Sequence, residues 1–249
     1  MKKKFLFLII LIFTKSISAQ NLKIIYDLEI YPVDIESDLF KDADLRTINH
    51  FKESNRYNKI LSEKLDIIII SDGKNFSMSF SDVLPTKGMG VEHIKIARGS
   101  FFTGDVSFGN KEQLLIFNDD YKNYLIKETE NDILTWQVTT ESKEIAGYTC
   151  YKAIPKFKDE SLKAPKIYKF EYVWFAPEIN FVATPSFFGT NLPGAVLGYK
   201  NQLSEAQAKV IVSTDEEVNI LETKNKKIFS YLEFNNFVAE NFKKLMGIN

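Results

Sequence analysis

Residue types that commonly carry catalysis are few in this chain and widely spaced in the sequence. The two histidines, His50 and His93, each lack a second ligand at a metal-binding spacing such as His-Glu-x-x-His. The one cysteine, Cys150, lies in a strand-like stretch without a nearby histidine, and burial in such a stretch raises the pKa of a thiol. We interpret Cys150 as a buried, unreactive thiol. The sequence therefore predicts no catalytic, cofactor-binding or metal-binding residue, and no cofactor.

Three further patterns approach catalytic motifs without completing them. Residues 104–109 read Gly-Asp-Val-Ser-Phe-Gly, which misses the Gly-x-Ser-x-Gly nucleophile turn by one residue. The acidic pairs Asp119-Asp120 and Asp215-Glu216 lie in predicted turns, where solvated carboxylates are expected. A periplasmic hydrolase stays open as an alternative function, and it requires carboxylates or a histidine to converge in the folded chain.

Residues 1–19 have the pattern of a secretory signal peptide. Three lysines precede an unbroken apolar run from Phe5 to Phe13, and small residues follow up to Ala19. The apolar run is too short to span a membrane. We therefore expect cleavage after Ala19 and an exported chain of residues 20–249 without a transmembrane segment.

The composition of the exported part limits its partners. Four of the 32 Lys and Arg residues lie in residues 1–19, which leaves 28 basic against 33 acidic residues and a net charge of −5. No basic stripe remains to follow a phosphate backbone, which argues against nucleic acid as a partner. A single cysteine allows no intrachain disulfide, and about 230 residues suffice to bury one core without crosslinks. We expect residues 20–249 to form a single domain.

Residues 168–175 carry the clearest strand pattern, because large aromatic side chains alternate with other residues. The alternation predicts a half-buried antiparallel strand. Pro177 cannot donate to a strand ladder, so the strand is expected to end near Ala176. The aromatic residues predicted to share one face are Tyr168, Phe170, Tyr172 and Trp174.

Two short sequences predict turns. Residues 71–74, Ser-Asp-Gly-Lys, supply the Asp-Gly signal of a tight hairpin between the apolar run at 65–70 and the alternating residues at 76–80. Residues 192–195, Leu-Pro-Gly-Ala, have proline and glycine at the central positions of a type II turn. In such a turn Gly194 takes a positive φ.

The remaining segments carry weaker patterns until the C-terminus. Residues 37–64 are polar and indicate an excursion or a partly helical loop, whereas residues 91–98 alternate acceptably and indicate a strand. Ser230 and Glu233 form a capping box, and apolar residues follow at three- and four-residue spacing. These signals predict a helix at 231–246 that packs on the sheet.

Four ordered motifs within residues 114–212 resemble the pattern of a known family. They lie at 136–139, 142–153, 174–179 and 192–197. In this order they resemble the GLPGLI family of secreted proteins from Bacteroidetes, although Asn191 stands where the family signature has its first glycine. The resemblance implies an exported protein of the periplasm or outer membrane. It implies no catalytic residue, because the family has no assigned activity.

Together these patterns predict a mainly β protein: a large curved antiparallel sheet or half-barrel of about eight to eleven strands, with the C-terminal helix packed on it. The concave face of such a sheet can hold an apolar ligand, and the aromatic residues at 168–175 and 76–80 supply apolar surface. We expect a non-catalytic binding or accessory protein, whose partner is a lipid-like ligand or an outer-membrane protein.

Overall fold

Alternating apolar residues form twelve β-strands that join in one sheet, accompanied by four α-helices, in the part of the chain that the structure describes. The computed structural model describes residues 20–101, 106–111, 114–118, 122–162, 170–186, 188–219 and 226–245. Several predictions therefore fall outside the described residues: the signal peptide at 1–19, Gly104-Asp105, Asp119-Asp120, Tyr168 and Met246.

The strands are β1 Asn21–Ile30, β2 Asp66–Ser71, β3 Phe76–Phe80, β4 Val106–Gly109, β5 Leu114–Asn118, β6 Lys122–Ile126, β7 Leu134–Ile145, β8 Tyr148–Phe157, β9 Phe170–Ala176, β10 Ala195–Asn201, β11 Ser204–Thr214 and β12 Lys226–Phe229. The helices are α1 Leu45–Lys64, α2 Val91–Gly99, α3 Glu130–Ile133 and α4 Tyr231–Leu245, and 3-10 turns lie at Asp38–Phe40 and Glu160–Leu162.

The sheet is antiparallel at every described pairing except one. Its strand order is β12-β6-β5-β4-β3-β2-β1-β11-β10-β9-β8-β7, and only β12 runs parallel to its neighbour β6. This arrangement confirms the predicted fold class, a mainly β protein with a large antiparallel sheet and a C-terminal helix. The twelfth strand, one beyond the predicted range, is the short β12. The β2–β3 hairpin forms where the Asp-Gly signal predicts it.

The sheet has a buried inner face and a more exposed outer face. On β1, Ile24, Tyr26 and Leu28 are buried and define the inner face, whereas Asp27 and Glu29 are exposed and define the outer face. Successive side chains of a strand point to opposite faces, so the strand pairings carry these two faces across the sheet. The buried residues of the inner face belong to one continuous hydrophobic core.

Residues 91–98 form the helix α2, so the strand prediction there is wrong. The helix begins after Gly90, whose backbone N–H donates to His93 Nδ1 at 3.1 Å. Ile94 and Ala97, three residues apart, are buried, and α2 packs against α1. A nine-residue segment is short enough for its apolar residues to fit both a strand period and a helix period.

The polar segment 37–64 contains a full helix rather than a partly helical loop. Asp44 is the N-cap of α1, and its carboxylate accepts a hydrogen bond from the Thr47 backbone N–H at 2.6 Å. That N–H bond holds the pKa of Asp44 below its usual range. Only a few of the 20 residues of α1 are buried, among them Phe51 and Leu61. The apolar pattern of this segment is therefore too sparse to predict the helix.

Strand β9 ends at Ala176, immediately before Pro177, as predicted. The prediction that β9 is half-buried is wrong for residues 173–176, all four of which are buried. The outer face is covered at this point by the end of the β7–β8 hairpin. A Cβ added at Gly198, the neighbour of Trp174 across the sheet, would lie 3.3 Å from the Ile145 side chain.

A bulge in β9 moves Phe170 to the inner face. Tyr172 pairs with Lys200 and Phe170 pairs with Asn201, so two residues of β9 oppose a single step of β10. The Phe170 ring stacks on Tyr199 of the inner face with centroids 5.2 Å apart. Phe170 therefore does not share a face with Tyr172, contrary to the prediction.

The C-terminal helix begins with the predicted capping box. The Glu233 backbone N–H donates to Ser230 Oγ at 3.1 Å, and the Ser230 backbone N–H donates to Glu233 Oε2 at 2.7 Å. The latter bond lowers the pKa of Glu233. The Phe234 ring lies 6.0 Å from that of Tyr124 on β6, which packs the helix on the sheet as predicted.

Candidate functional site

The 177–194 loop joins β9 to β10 and is anchored at two distant elements. The Val182 backbone N–H donates to the Gly73 carbonyl at 3.2 Å, and Ser71 Oγ donates to the Val182 carbonyl at 2.7 Å. These bonds tie the loop to the β2–β3 hairpin. The Phe188 ring packs against the Tyr231 ring in the first turn of α4, and the two ring centroids lie 5.4 Å apart. The described residues of the loop therefore have a fixed position.

The turn at the end of this loop is tighter than predicted. The Gly194 backbone N–H donates to the Leu192 carbonyl at 2.9 Å, which is the three-residue bond of a γ-turn. The Ala195 backbone N–H donates instead to the Ile179 carbonyl, so the type II prediction is wrong. Gly194 does have a positive φ, +144°, and a Cβ there would lie 2.1 Å from the Ala176 carbonyl oxygen.

A buried carboxylate holds the middle of the 177–194 loop. Glu130 Oε2 accepts hydrogen bonds from the Gly189 N–H at 2.9 Å and from the Thr190 N–H and Oγ1, both at 2.7 Å. Its Oε1 accepts a hydrogen bond from Trp136 Nε1 at 2.5 Å. All four donors therefore converge on a side chain that is 8% exposed.

Sequence reasoning gives Glu130 no role, although a signal for its helix is present. The Thr129 backbone N–H and hydroxyl both donate to Asp132 Oδ2, which marks the start of α3 at Glu130. Trp136, which lies in the first of the four sequence motifs, and Gly189 meet on this carboxylate. Both carboxylate oxygens of Glu130 are engaged, so its contribution is to position the loop backbone.

Cys150 is fully buried on β8, as predicted. Its Sγ lies 3.6 Å from the Tyr148 carbonyl oxygen, and burial raises the pKa of the thiol to about 11. A thiol with so high a pKa is almost wholly protonated at neutral pH and is a poor nucleophile. The structure places no histidine ring beside it among the described contacts.

The two histidines meet at the contact between α1 and α2. The His50 and His93 ring centroids lie 6.0 Å apart, and Tyr57 packs on His93 at 4.8 Å. Glu53 Oε2 lies 4.0 Å from Nε2 of His93. The other ring nitrogen of His93, Nδ1, accepts a hydrogen bond from the Gly90 backbone N–H. Within the described residues no group of three His, Cys, Asp or Glu is placed to hold a metal ion. The arrangement joins the two helices.

Aromatic rings and ammonium groups lie on the outer face around β7 to β11. Lys143 Nζ lies 4.8 Å from the Trp174 ring centroid, and Lys152 Nζ lies 4.7 Å from the Tyr172 centroid. Each is a cation–π contact. We name this surface the outer-face cluster; its members are Tyr31, Lys143, Lys152, Tyr172, Trp174, Lys200, Glu205 and Gln207.

Two lysines of the outer-face cluster have carboxylate partners. Lys152 Nζ lies 3.0 Å from Glu141 Oε2, and Lys200 Nζ lies 4.0 Å from Glu205 Oε2. Glu205 also accepts a hydrogen bond from the Tyr31 hydroxyl at 3.0 Å. Burial, together with this bond, raises the pKa of Tyr31, so its hydroxyl stays protonated as a donor at neutral pH.

Lys143 has no carboxylate within ion-pair distance among the described residues. Its Nζ donates to the neutral Gln207 Oε1 at 2.8 Å. Burial lowers the pKa of Lys143, and the charge of Glu205 opposes part of that effect. No sequence pattern singles out these lysines, because the strand register and bulges that bring them together are not visible in the sequence.

The aromatic residues expected to supply one apolar surface are divided between the two faces of the sheet. Phe76 and Met78 are buried on the inner face, and the Phe80 ring packs on Phe101 with centroids 5.9 Å apart. Tyr172, by contrast, lies on the outer face beneath a lysine. The two groups therefore do not combine into a single ligand-binding surface.

Comparisons with known proteins identify no family. No family model and no curated protein matches the chain. Two solved structures of PNGF-II are similar, with TM-scores of 0.46 and 0.45 and identities of 13% and 14% over 92% of this chain. The chain spans about a third of their length, 33%. The resemblance to the GLPGLI family stays a prediction.

A helix needs about 20 predominantly apolar residues to cross a bilayer. No helix among the described residues is both long and apolar enough to cross a membrane.

Proposed function

We propose that the protein is an exported, non-catalytic binding module of the periplasm or outer membrane, and that it binds its partner at the outer-face cluster. The observation that carries this proposal is the set of aromatic rings, ammonium groups and hydrogen-bonding groups around Tyr172 on the outer face. Tyrosine and tryptophan are enriched among the residues that contribute most of the binding free energy at protein interfaces. The pattern of residues 1–19 supports export.

The residues otherwise suited to catalysis are committed to the fold. Glu130 accepts four hydrogen bonds from the loop and from Trp136, and Cys150 is enclosed with a raised pKa. His93 caps α2 and packs on Tyr57. These commitments favour a binding module over the alternative of a periplasmic hydrolase.

The burial of the inner face favours a polar partner. Phe76 and Met78, which suggested an apolar ligand, are enclosed within the core. Tyr172 and Tyr31 are only partly buried and stand beside charged groups. A component of the cell envelope with hydrogen-bonding groups fits this surface better than a lipid tail, which has none to offer.

Co-sedimentation with isolated cell envelope tests the proposal. The protein purified from the exporting cell is mixed with envelope from the same cells and centrifuged. We expect the wild-type protein to sediment with the envelope. The Tyr172→Ser variant is expected to lower the apparent affinity about tenfold, because it removes a ring at the centre of the surface.

Tyr151→Ser is the matched control. Tyr151 is an exposed tyrosine of β8, but its ring packs on Phe175, away from the outer-face cluster. This variant should bind as the wild-type protein does. Absence of co-sedimentation, or an equal loss in both variants, would overturn the proposal.

A further inference from the structure

Two ammonium groups of the outer-face cluster share one indole ring. Lys143 Nζ and Lys152 Nζ lie 4.8 Å and 5.9 Å from the Trp174 ring centroid. The Trp174 ring is buried, so water screens the charges beside it less well than charges in bulk solution. Glu141 balances Lys152, whereas Lys143 has no such partner among the described residues.

The environment of Lys143 favours an incoming anion. An ammonium group has three N–H donors, and only one of them has a described acceptor, Gln207 Oε1. Lys209, on the same sheet, is a lysine whose ammonium group has carboxylate partners. Its Nζ lies 2.7 Å from Asp66 and 2.9 Å from Asp27, and these bonds raise its pKa, whereas burial lowers the pKa of Lys143.

We infer that Lys143 binds the carboxylate of an acidic sugar, whose ring lies on the neighbouring Tyr172. The inference rests on the proposed function, because it names the ligand class of the same surface. The carboxylate would accept charge-assisted hydrogen bonds from the N–H donors of Lys143 that have no described acceptor. No covalent step is involved.

The groups around Lys143 fit a sugar better than a peptide. Gln207, Glu205 and the Tyr31 hydroxyl supply donors and acceptors that match the hydroxyl groups of a sugar ring. The C–H face of that ring is apolar and packs on an aromatic face such as Tyr172. Peptides are recognised through grooves or along sheet edges, and this surface is the face of a sheet.

Calorimetric titration with tetragalacturonate, an oligosaccharide of uronic acids, tests the inference. We expect saturable binding to the wild-type protein that weakens as salt is added, because the contact is between charges. Lys143→Met should weaken binding about tenfold, the loss expected for one hydrogen bond to a charged group. Lys209→Met, which removes a lysine with two carboxylate partners, should leave binding unchanged.

Two further ligands separate the possible sources of binding. The methyl ester of tetragalacturonate, which has no charge, should bind much more weakly, and equal binding would overturn the role of the carboxylate. Tetraglutamate has the charges without the sugar, and equal binding of this peptide would overturn the ligand class. If tetragalacturonate fails to bind while the protein still sediments with envelope through Tyr172, this inference fails and the proposed function stands.

Discussion

Gly194→Ala is expected to lower the free energy of unfolding by about 4 kcal/mol, or to prevent folding. The added Cβ would lie 2.1 Å from the Ala176 carbonyl oxygen and 2.6 Å from its carbonyl carbon. Both atoms belong to the backbone at the end of β9, which cannot yield without breaking pairing with β10. Denaturant unfolding followed by fluorescence measures the loss.

Gly147→Ala separates the clash from the cost of the backbone conformation. Gly147 also has a positive φ, +84°, but a Cβ there would meet no atom within 4 Å. Its loss should be about 1 kcal/mol, the usual cost of a side chain in the left-handed region. Equal losses for the two variants would show that the close approach to Ala176 is not what requires glycine at position 194.

Glu130→Ala is expected to destabilise the protein by about 3–4 kcal/mol. The substitution removes the one carboxylate that accepts hydrogen bonds from four donors. The Gly189 and Thr190 N–H groups would be left buried without partners, and Trp136 Nε1 would lose its acceptor. Each unsatisfied buried donor costs about 1–3 kcal/mol. Urea unfolding at neutral pH measures the change.

Asp132→Ala is the control for Glu130, because it lies on the same short helix. Asp132 is exposed, and within the described part of the chain its side chain accepts hydrogen bonds from Thr129 alone, at the helix start. Asp132→Ala should destabilise the protein less than Glu130→Ala does, because an exposed capping carboxylate leaves its donors open to water when it is removed. A Glu130 variant no less stable than the Asp132 variant would contradict the role assigned to the buried carboxylate.

Local patterns in the sequence predict what local interactions decide. The β2–β3 hairpin follows from its Asp-Gly turn, and the start of α4 follows from Ser230 and Glu233, whose bonds join residues three apart. The end of β9 follows from Pro177, which cannot donate to a ladder. Together with the aromatic alternation, these signals were enough to predict a large antiparallel sheet.

The remainder depends on contacts between distant segments. Glu130 meets Gly189 across 59 positions, and no spacing rule relates them. The bulge that moves Phe170 to the inner face is a property of the pairing of β9 with β10, and a one-residue shift reverses the face. The contact of Lys143 with Trp174 also depends on how the strands are paired. No pattern in the sequence therefore indicates the outer-face cluster.

Lysine footprinting tests the central claim, a partner bound at the outer-face cluster, most directly. The protein is acetylated briefly with and without isolated envelope, and the modified lysines are identified by mass spectrometry. We expect envelope to protect Lys143, Lys152 and Lys200, while Lys64 at the end of α1 stays equally reactive. Unchanged acetylation of the three cluster lysines, with protection elsewhere, would contradict the claim.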